Sequence, residues 1–207
     1  MDDVIVIGGG IVGASAAYHL ARAGVRTTLI DQARPGQATA AGAGIISPGT
    51  TYNSPTAYFP LAFQAVAYYE NLLALLAEDG QTSTSYETVG LLHVATSQEE
   101  AERLPILLCL FEERRAAGVK NIGELHLLTG QEARALFPAL GNIHGAIYSA
   151  DSARLNGRLM RDALRAAAQL RGVRISSPPS TKPRWSRRES ASPWSLQMNK
   201  LLARTQW

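Results

Sequence analysis

One cysteine, Cys109, is all that the 207 residues contain, so the chain can form no internal disulfide and no cysteine-based structural zinc site. Long apolar runs are missing too. None reaches the roughly 18 residues that a membrane-spanning helix needs; the longest are broken by His19 and Arg22 or, around Leu104–Phe111, are far too short. Positive charge is absent where a secretory leader would carry it, because Asp2 and Asp3 stand there; the expectation is no targeting peptide and a cytoplasmic location. The four histidines (His19, His93, His126, His144) show neither HxxxH nor HExxH spacing, and each is expected to be exposed or satisfied in the core. There is no GxSxG elbow and no P-loop lysine motif. Charged residues are sparse at 18%, but hydrophobic residues reach 46%, which excludes a wholly disordered chain.

The formal charge of +3 is not spread evenly. Residues 176–207 hold six of the 20 basic residues and one of the 17 acidic ones, which leaves the preceding 175 residues slightly acidic. The same stretch has all three tryptophans (Trp185, Trp194, Trp207), four of the ten prolines and no glycine. Basic residues interleaved with tryptophan can bind single-stranded nucleic acid by charge and stacking. The composition break instead favours an aberrant or disordered tail, with its origin in a shifted reading frame or a chimeric gene end. No nucleic-acid partner is expected, since only the tail suggests one.

The opening residues carry the strongest signal. Val4-Ile5-Val6-Ile7 is a short β-branched run, expected as a strand buried on both faces of a parallel sheet. It leads straight into Gly8-Gly9-Gly10-Ile11-Val12-Gly13, which contains GxGxxG at Gly8, Gly10 and Gly13. A helix pattern follows, with Val12, Ala16, Leu20 and Ala23 spaced as a small apolar face and Gly24 as the stop. Residues 26–30 read as a second strand ending at Asp31.

Each part has a physical reason. Gly8 permits the tight turn out of the strand, Gly10 leaves room for a pyrophosphate, and Gly13 lets the helix pack close to the sheet. The helix N-terminus offers free N–H groups and the positive end of its dipole. Asp31 lies 21 residues after Gly10, where an acid can accept hydrogen bonds from an adenosine ribose. Its charge disfavours a 2′-phosphate. A dinucleotide is therefore the expected ligand, NAD being one candidate.

The wider pattern Gly13-x-x-x-Ala17-x-x-Leu20, then Ala23-Gly24, then Asp31, resembles the N-terminal FAD signature of the D-amino acid oxidase, glycine oxidase and sarcosine oxidase group. The small-residue run Gln37-Ala38-Thr39-Ala40-Ala41-Gly42-Ala43-Gly44-Ile45-Ile46 resembles the loop that follows the ribose acid in that group. The resemblance implies FAD as cofactor, held by Gly8, Gly10, Ile11, Val12 and Gly13. It places Asp31 and Gln32 at the adenosine, Ala38 and Thr39 at the pyrophosphate, and Ala43, Gly44 and Ile45 along the flavin. Small residues let a backbone pass close to a flat ring with its N–H groups free to donate.

Farther along, residues 56–77 and 99–117 read as helices, the second with Pro105 marking a kink or split. Tyr58, Phe59, Tyr68 and Tyr69 are read as core packing rather than a ligand cage. Residues 88–96, 125–128 and 145–148 read as strands, and Thr129 with Glu132 as a capping box on a short helix. Cys109, among Ile106, Leu107, Leu108, Leu110 and Phe111, is read as a small buried hydrophobe. Residues 158–171 form an amphipathic helix, with Arg158, Arg161, Asp162 and Arg165 largely opposite its apolar face, and residues 172–175 start a further parallel strand.

The fold class expected is α/β: a Rossmann-like FAD-binding domain with a parallel sheet, carrying an inserted α+β substrate domain, and truncated. By resemblance, residues 1–53 begin the FAD domain, 54–144 are a partial substrate domain, 145–175 return to the FAD domain, and 176–207 are the aberrant or disordered tail. The implied activity is oxidation of the C–N bond of an amino acid or secondary amine by hydride transfer to flavin N5. No residue matches the family's substrate clamp, so no catalytic residue is assigned. Two alternatives stay open: a non-catalytic remnant that binds FAD or ADP, and an NAD-dependent dehydrogenase. A sheet halted at its third strand would leave an unpaired edge, from which self-association is expected.

Overall fold

The computed structural model describes residues 2–33 and 36–177, and the tail from residue 178 lies outside the described residues. Strand β1 (Val4–Ile7), helix α1 (Ile11–Arg22) and strand β2 (Thr27–Ile30) form the first β-α-β unit, with β1 and β2 parallel and in register from Val4↔Thr27 to Ile7↔Ile30. A third parallel strand joins β2 from the far end of the chain: β9 (Arg174–Ser176), preceded by helix α6 (Gly157–Leu170). The order β1-β2-β9 puts β1 at one edge among the described residues.

Between β2 and α6 the chain leaves this sheet and builds two others. One joins β3 (Ile45–Ile46) and β4 (Glu87–Thr88) to β8 (Ala153–Arg154), both antiparallel. The other sets β7 (Gly145–Ser149) between β5 (Leu91–Ala95) and β6 (Leu125–Leu128), again antiparallel. The remaining helices are α2 (Ala38–Ala41), α3 (Tyr58–Glu78), α4 (Gln98–Ala116) and α5 (Gly130–Leu136). None of the helices among the described residues is long and apolar enough to cross a membrane.

Several sequence expectations change in detail. The run 88–96 is two strands, not one, because the chain changes sheets at Gly90, whose φ of +74° suits glycine. The amides of Val89 and Gly90 both donate to the Ser152 carbonyl at this corner. Helix α4 runs through Pro105 without splitting. Strand β7 is the centre of the third sheet, and the chain regains the parallel sheet at α6 and β9. Cys109 is exposed, since the buried positions of α4 are Leu104 and Phe111. The capping box is present as drawn: Thr129 Oγ1 accepts from the Glu132 amide, and the Glu132 carboxylate accepts from the Thr129 amide.

The expected burial of β1 on both faces does not hold. Val4 and Val6 turn toward the helices and are half-buried, whereas Ile5 and Ile7 are 59% and 85% exposed. The physical reason is that α1 and α6 pack together in the core cluster that Val6 joins, and no described element covers the side of Ile5 and Ile7. The apolar face of α1 shifts for the same reason. Its buried residues are Ala14, Ala17 and Tyr18, while Val12 and Ala16 are exposed beside β1.

The apolar interior is in two parts. One cluster gathers Ala14, Tyr18, Leu29, Leu72, Leu76, Met160, Leu164 and neighbours from α1, β2, α3 and α6. The other holds Ala95, Leu104, Phe111 and Ile147, where α4 lies on the third sheet. Asp79 clasps the first cluster at its rim. It caps the C-terminus of α3 and is joined by the Tyr18 hydroxyl (2.7 Å) and by Arg171 Nε (2.8 Å) and Nη2 (2.6 Å), with Arg22 Nη1 at 3.5 Å. The Arg171 guanidinium holds the Asp79 carboxyl below the ordinary carboxylate range, against the opposing pull of burial. Arg114 makes a second clasp. Its Nη1 donates to the carbonyls of Gly49 (3.0 Å) and Thr51 (2.6 Å), and its guanidinium lies 4.4 Å over the Phe59 ring, tying α3 and α4 to one turn.

Candidate cofactor cleft

The C-terminal end of β1 becomes a site because of what its glycines allow. Gly8 has φ of +100°, and its amide donates to the Ile30 carbonyl (2.8 Å), binding the ends of β1 and β2 together. Gly10 caps α1 without a side chain, so Thr39 from the later loop does the capping: its Oγ1 accepts from the Ile11 amide at 3.0 Å. A Cβ on Gly13 would lie 1.8 Å from the Gly8 carbonyl oxygen. A Cβ on Gly9 would fall within 2.9 Å of both Asp31 and Arg165.

Asp31, at the end of β2, is largely buried. Arg165 of α6 donates through Nη1 to Asp31 Oδ2 (3.1 Å) and to the Gly9 carbonyl (3.4 Å), and the Asp31 amide donates to Ser176 in β9. Arg161 Nη1 donates to Gln37 Oε1 (3.0 Å), and Arg158 Nη2 to the Ala40 carbonyl (3.3 Å). Farther along the small-residue loop, Gly44 has φ of +73° and accepts from the Leu155 amide at 2.9 Å. Its missing Cβ would sit 1.8 Å from the Leu155 carbonyl oxygen. Gly157, at the start of α6, also lies close to the loop, 2.7 Å from the Thr39 carbonyl oxygen by the same measure.

These elements enclose a cleft of about 840 Å³. Gly8, Gly10, Ile11, Val12, Gly13, Asp31, Ala38, Thr39 and Gly44 all line it. Gln32, Ala43 and Ile45 lie outside its lining; Ile45 instead borders a second groove of about 520 Å³ with Tyr58, Leu61 and Tyr69. Tyr58 is therefore partly a wall residue, 44% exposed, while Tyr69 stacks on Tyr86 and burial raises its phenol pKa. The sequence reading missed Gly9, Gln37, Gly42, Leu155 and Gly157. Gly157 had a usable signal, a glycine at the first position of an amphipathic helix. The arginines of α6 had none, because charge opposite an apolar face reads as solvated surface.

The donor set suits a dinucleotide. In open α/β sheets the ligand crevice lies beyond the carboxyl ends of the strands, and this cleft lies beyond β1 and β2. The amides of the first turn of α1 beyond Ile11, with the positive end of the helix dipole, suit a diphosphate, and a carboxylate suits sugar hydroxyls. The glycines at 8, 10, 13 and 44 bring backbone, not side chains, to the walls.

Sequence comparison agrees. The chain belongs to the DAO family of FAD-dependent oxidoreductases, which it matches over residues 3–185. That match runs ten residues into the stretch 176–207 expected to be an aberrant or disordered tail. Among individual proteins, it is 35% identical over 178 residues to the uncharacterized oxidoreductase YurR of Bacillus subtilis strain 168, covering 84% of this chain and 46% of that protein. The crystal structure of iminodiacetate oxidase from Chelativorans sp. BNC1 superposes with a TM-score of 0.77 at 35% identity, over 85% of this chain and 47% of the other. Glycine oxidase from Geobacillus kaustophilus superposes at 0.72 with 26% identity, over 84% and 46%. The chain thus spans about half the length of the relatives it matches.

Proposed function

We propose that this chain forms the FAD-binding portion of an oxidase acting on the C–N bond of an amino acid or secondary amine. The observation that carries the cofactor reading is the cleft itself: helix N-terminus, Asp31 and three close-approach glycines converge on one concavity. Gly8, Gly10, Ile11, Val12, Gly13, Ala38 and Thr39 would hold the diphosphate, and Asp31 with Gln32 the adenosine. Ala43, Gly44 and Ile45 would pass along the flavin, toward the groove bordered by Tyr58 and Tyr69. When bound, FAD supplies the hydride acceptor for amine oxidation; the chain's own residues bind it, orient it and keep water from its faces. The substrate class rests on likeness to proteins named as iminodiacetate and glycine oxidases.

An absorption spectrum of the purified chain, taken after adding FAD and gel filtration, tests the cofactor reading. Retained flavin bands between 300 and 550 nm are expected at roughly one flavin per chain. A colourless protein that retains NADH instead would overturn the reading in favour of a dehydrogenase. Turnover of glycine or iminodiacetate by the flavin-loaded chain would test the substrate class, and binding without turnover would favour the non-catalytic alternative.

A further inference from the structure

Two arginines on α6, Arg161 and Arg165, are partly buried against the cleft wall, while Arg158 is exposed beside them. Arg158, Arg161 and Arg165 recur at intervals of three and four residues, which places them on one face of the helix. Two of them reach residues that line the cleft, Arg161 the Gln37 side chain and Arg165 both Asp31 and Gly9, while Arg158 reaches the carbonyl of neighbouring Ala40. In the Arg165–Asp31 contact both charged side chains are largely enclosed, at 24% and 12% exposed.

We propose that Arg165 is a positioning residue that fixes the Asp31 carboxylate for recognition of a ribose 2′-hydroxyl. This rests on the FAD reading and deepens it. Arg165 holds one carboxylate oxygen, Oδ2, and the same nitrogen is anchored to the Gly9 backbone in the glycine turn. The second oxygen, Oδ1, is left to accept from a ligand hydroxyl. A carboxylate has about four acceptor sites, so the arginine and a sugar can share it. Fixing it in advance spares the ligand the cost of ordering that side chain. The guanidinium also offsets repulsion between Asp31 and a bound diphosphate. Gly9 is required by the same arrangement, because any side chain there would enter the space where Asp31 and Arg165 meet.

The test uses the full chain and two competitors, ADP and 2′-deoxy-ADP, each displacing FAD while flavin fluorescence is followed. The unsubstituted chain is expected to prefer ADP by about tenfold, the worth of a hydrogen bond to a charged acceptor. Arg165→Met should cut that preference several-fold, and Arg165→Lys should keep most of it. Asp31→Asn should remove it, with no further loss in the double variant. A purely structural role for Arg165 would weaken both competitors equally and leave their ratio unchanged, and an unchanged ratio in a folded Arg165→Met would overturn the proposal. Failure of the unsubstituted chain to bind FAD would overturn the cofactor reading and this inference together. FAD binding with an unaltered ratio in the variant would overturn this inference alone.

Discussion

Gly13→Ala should lower the melting temperature by about 4–8 °C and abolish FAD retention. The added Cβ would lie 1.8 Å from the Gly8 carbonyl oxygen and 3.1 Å from its carbon. Both obstructing atoms are backbone, so no rotamer change relieves the clash, and α1 must move away from the β1 turn. Overpacking of this kind costs about 3 kcal/mol or more, against about 1 kcal/mol gained from alanine's better helix propensity. The clash outweighs the propensity. At about 2–4 °C per kcal/mol for a domain of this size, the net cost of about 2 kcal/mol gives the stated range. Movement of α1 would also separate Ile11 from Thr39 and misplace the helix N-terminus, so flavin should be lost even where the chain stays folded. Thermal scans at 222 nm and the flavin spectrum check both effects. A variant that melts within about 2 °C of the parent and keeps its flavin would contradict the close approach of Gly8 and Gly13.

The second large effect lies away from the cleft. Asp79→Ala should cost about 3 kcal/mol, the scale for breaking a mostly buried ion pair and leaving its partners unmatched. The Asp79 side chain is only 10% exposed, and its loss takes the carboxylate partner from Arg171 and the acceptor from the Tyr18 hydroxyl, while Arg22 keeps Glu78. The pH dependence has a definite sign. The folded-state pKa of Asp79 lies below its ordinary value of 3.8, so its contribution is present above that value and fades as pH falls through the folded pKa. The stability gap between parent and variant should therefore be full at pH 7 and shrink below about pH 4. Urea midpoints across that range measure it. Asp79→Asn, which keeps the shape and removes the charge, separates the electrostatic part from the packing part. An unchanged midpoint at pH 7 for Asp79→Ala would show that the clasp carries no stability.

The first fifty residues were readable because their chemistry is local. A β-branched run, glycines at fixed offsets and an acid at the end of the next strand each answer to a backbone constraint, and the parallel pairing of β1 and β2 follows. The third strand was readable too, from the amphipathic pattern of α6 and the residues after it. What the sequence did not disclose depends on partners far along the chain. Thr39 caps a helix 28 residues earlier, and Arg165 meets an acid 134 residues away. The change of sheet at Gly90 is invisible to a period-two pattern, because both segments alternate alike. Ile5 and Ile7 misled in the opposite direction: their side-chain type suits a fully covered strand, but coverage is decided by neighbouring elements. Cys109 lies in an apolar run on α4, and only the helix's placement shows which side of that run is outside.

The two separate apolar clusters bear on how the molecule comes apart. One joins α1, α3 and α6 to the parallel sheet; the other sits under α4 on the third sheet, and no single interior spans both. Each can lose its packing while the other keeps it, so heating need not produce one all-or-none transition. The enthalpy obtained calorimetrically would then exceed that inferred from the steepness of the melting curve. Flavin release would follow the first cluster, while the far-ultraviolet circular dichroism, to which the helices of both clusters contribute, would change in both steps.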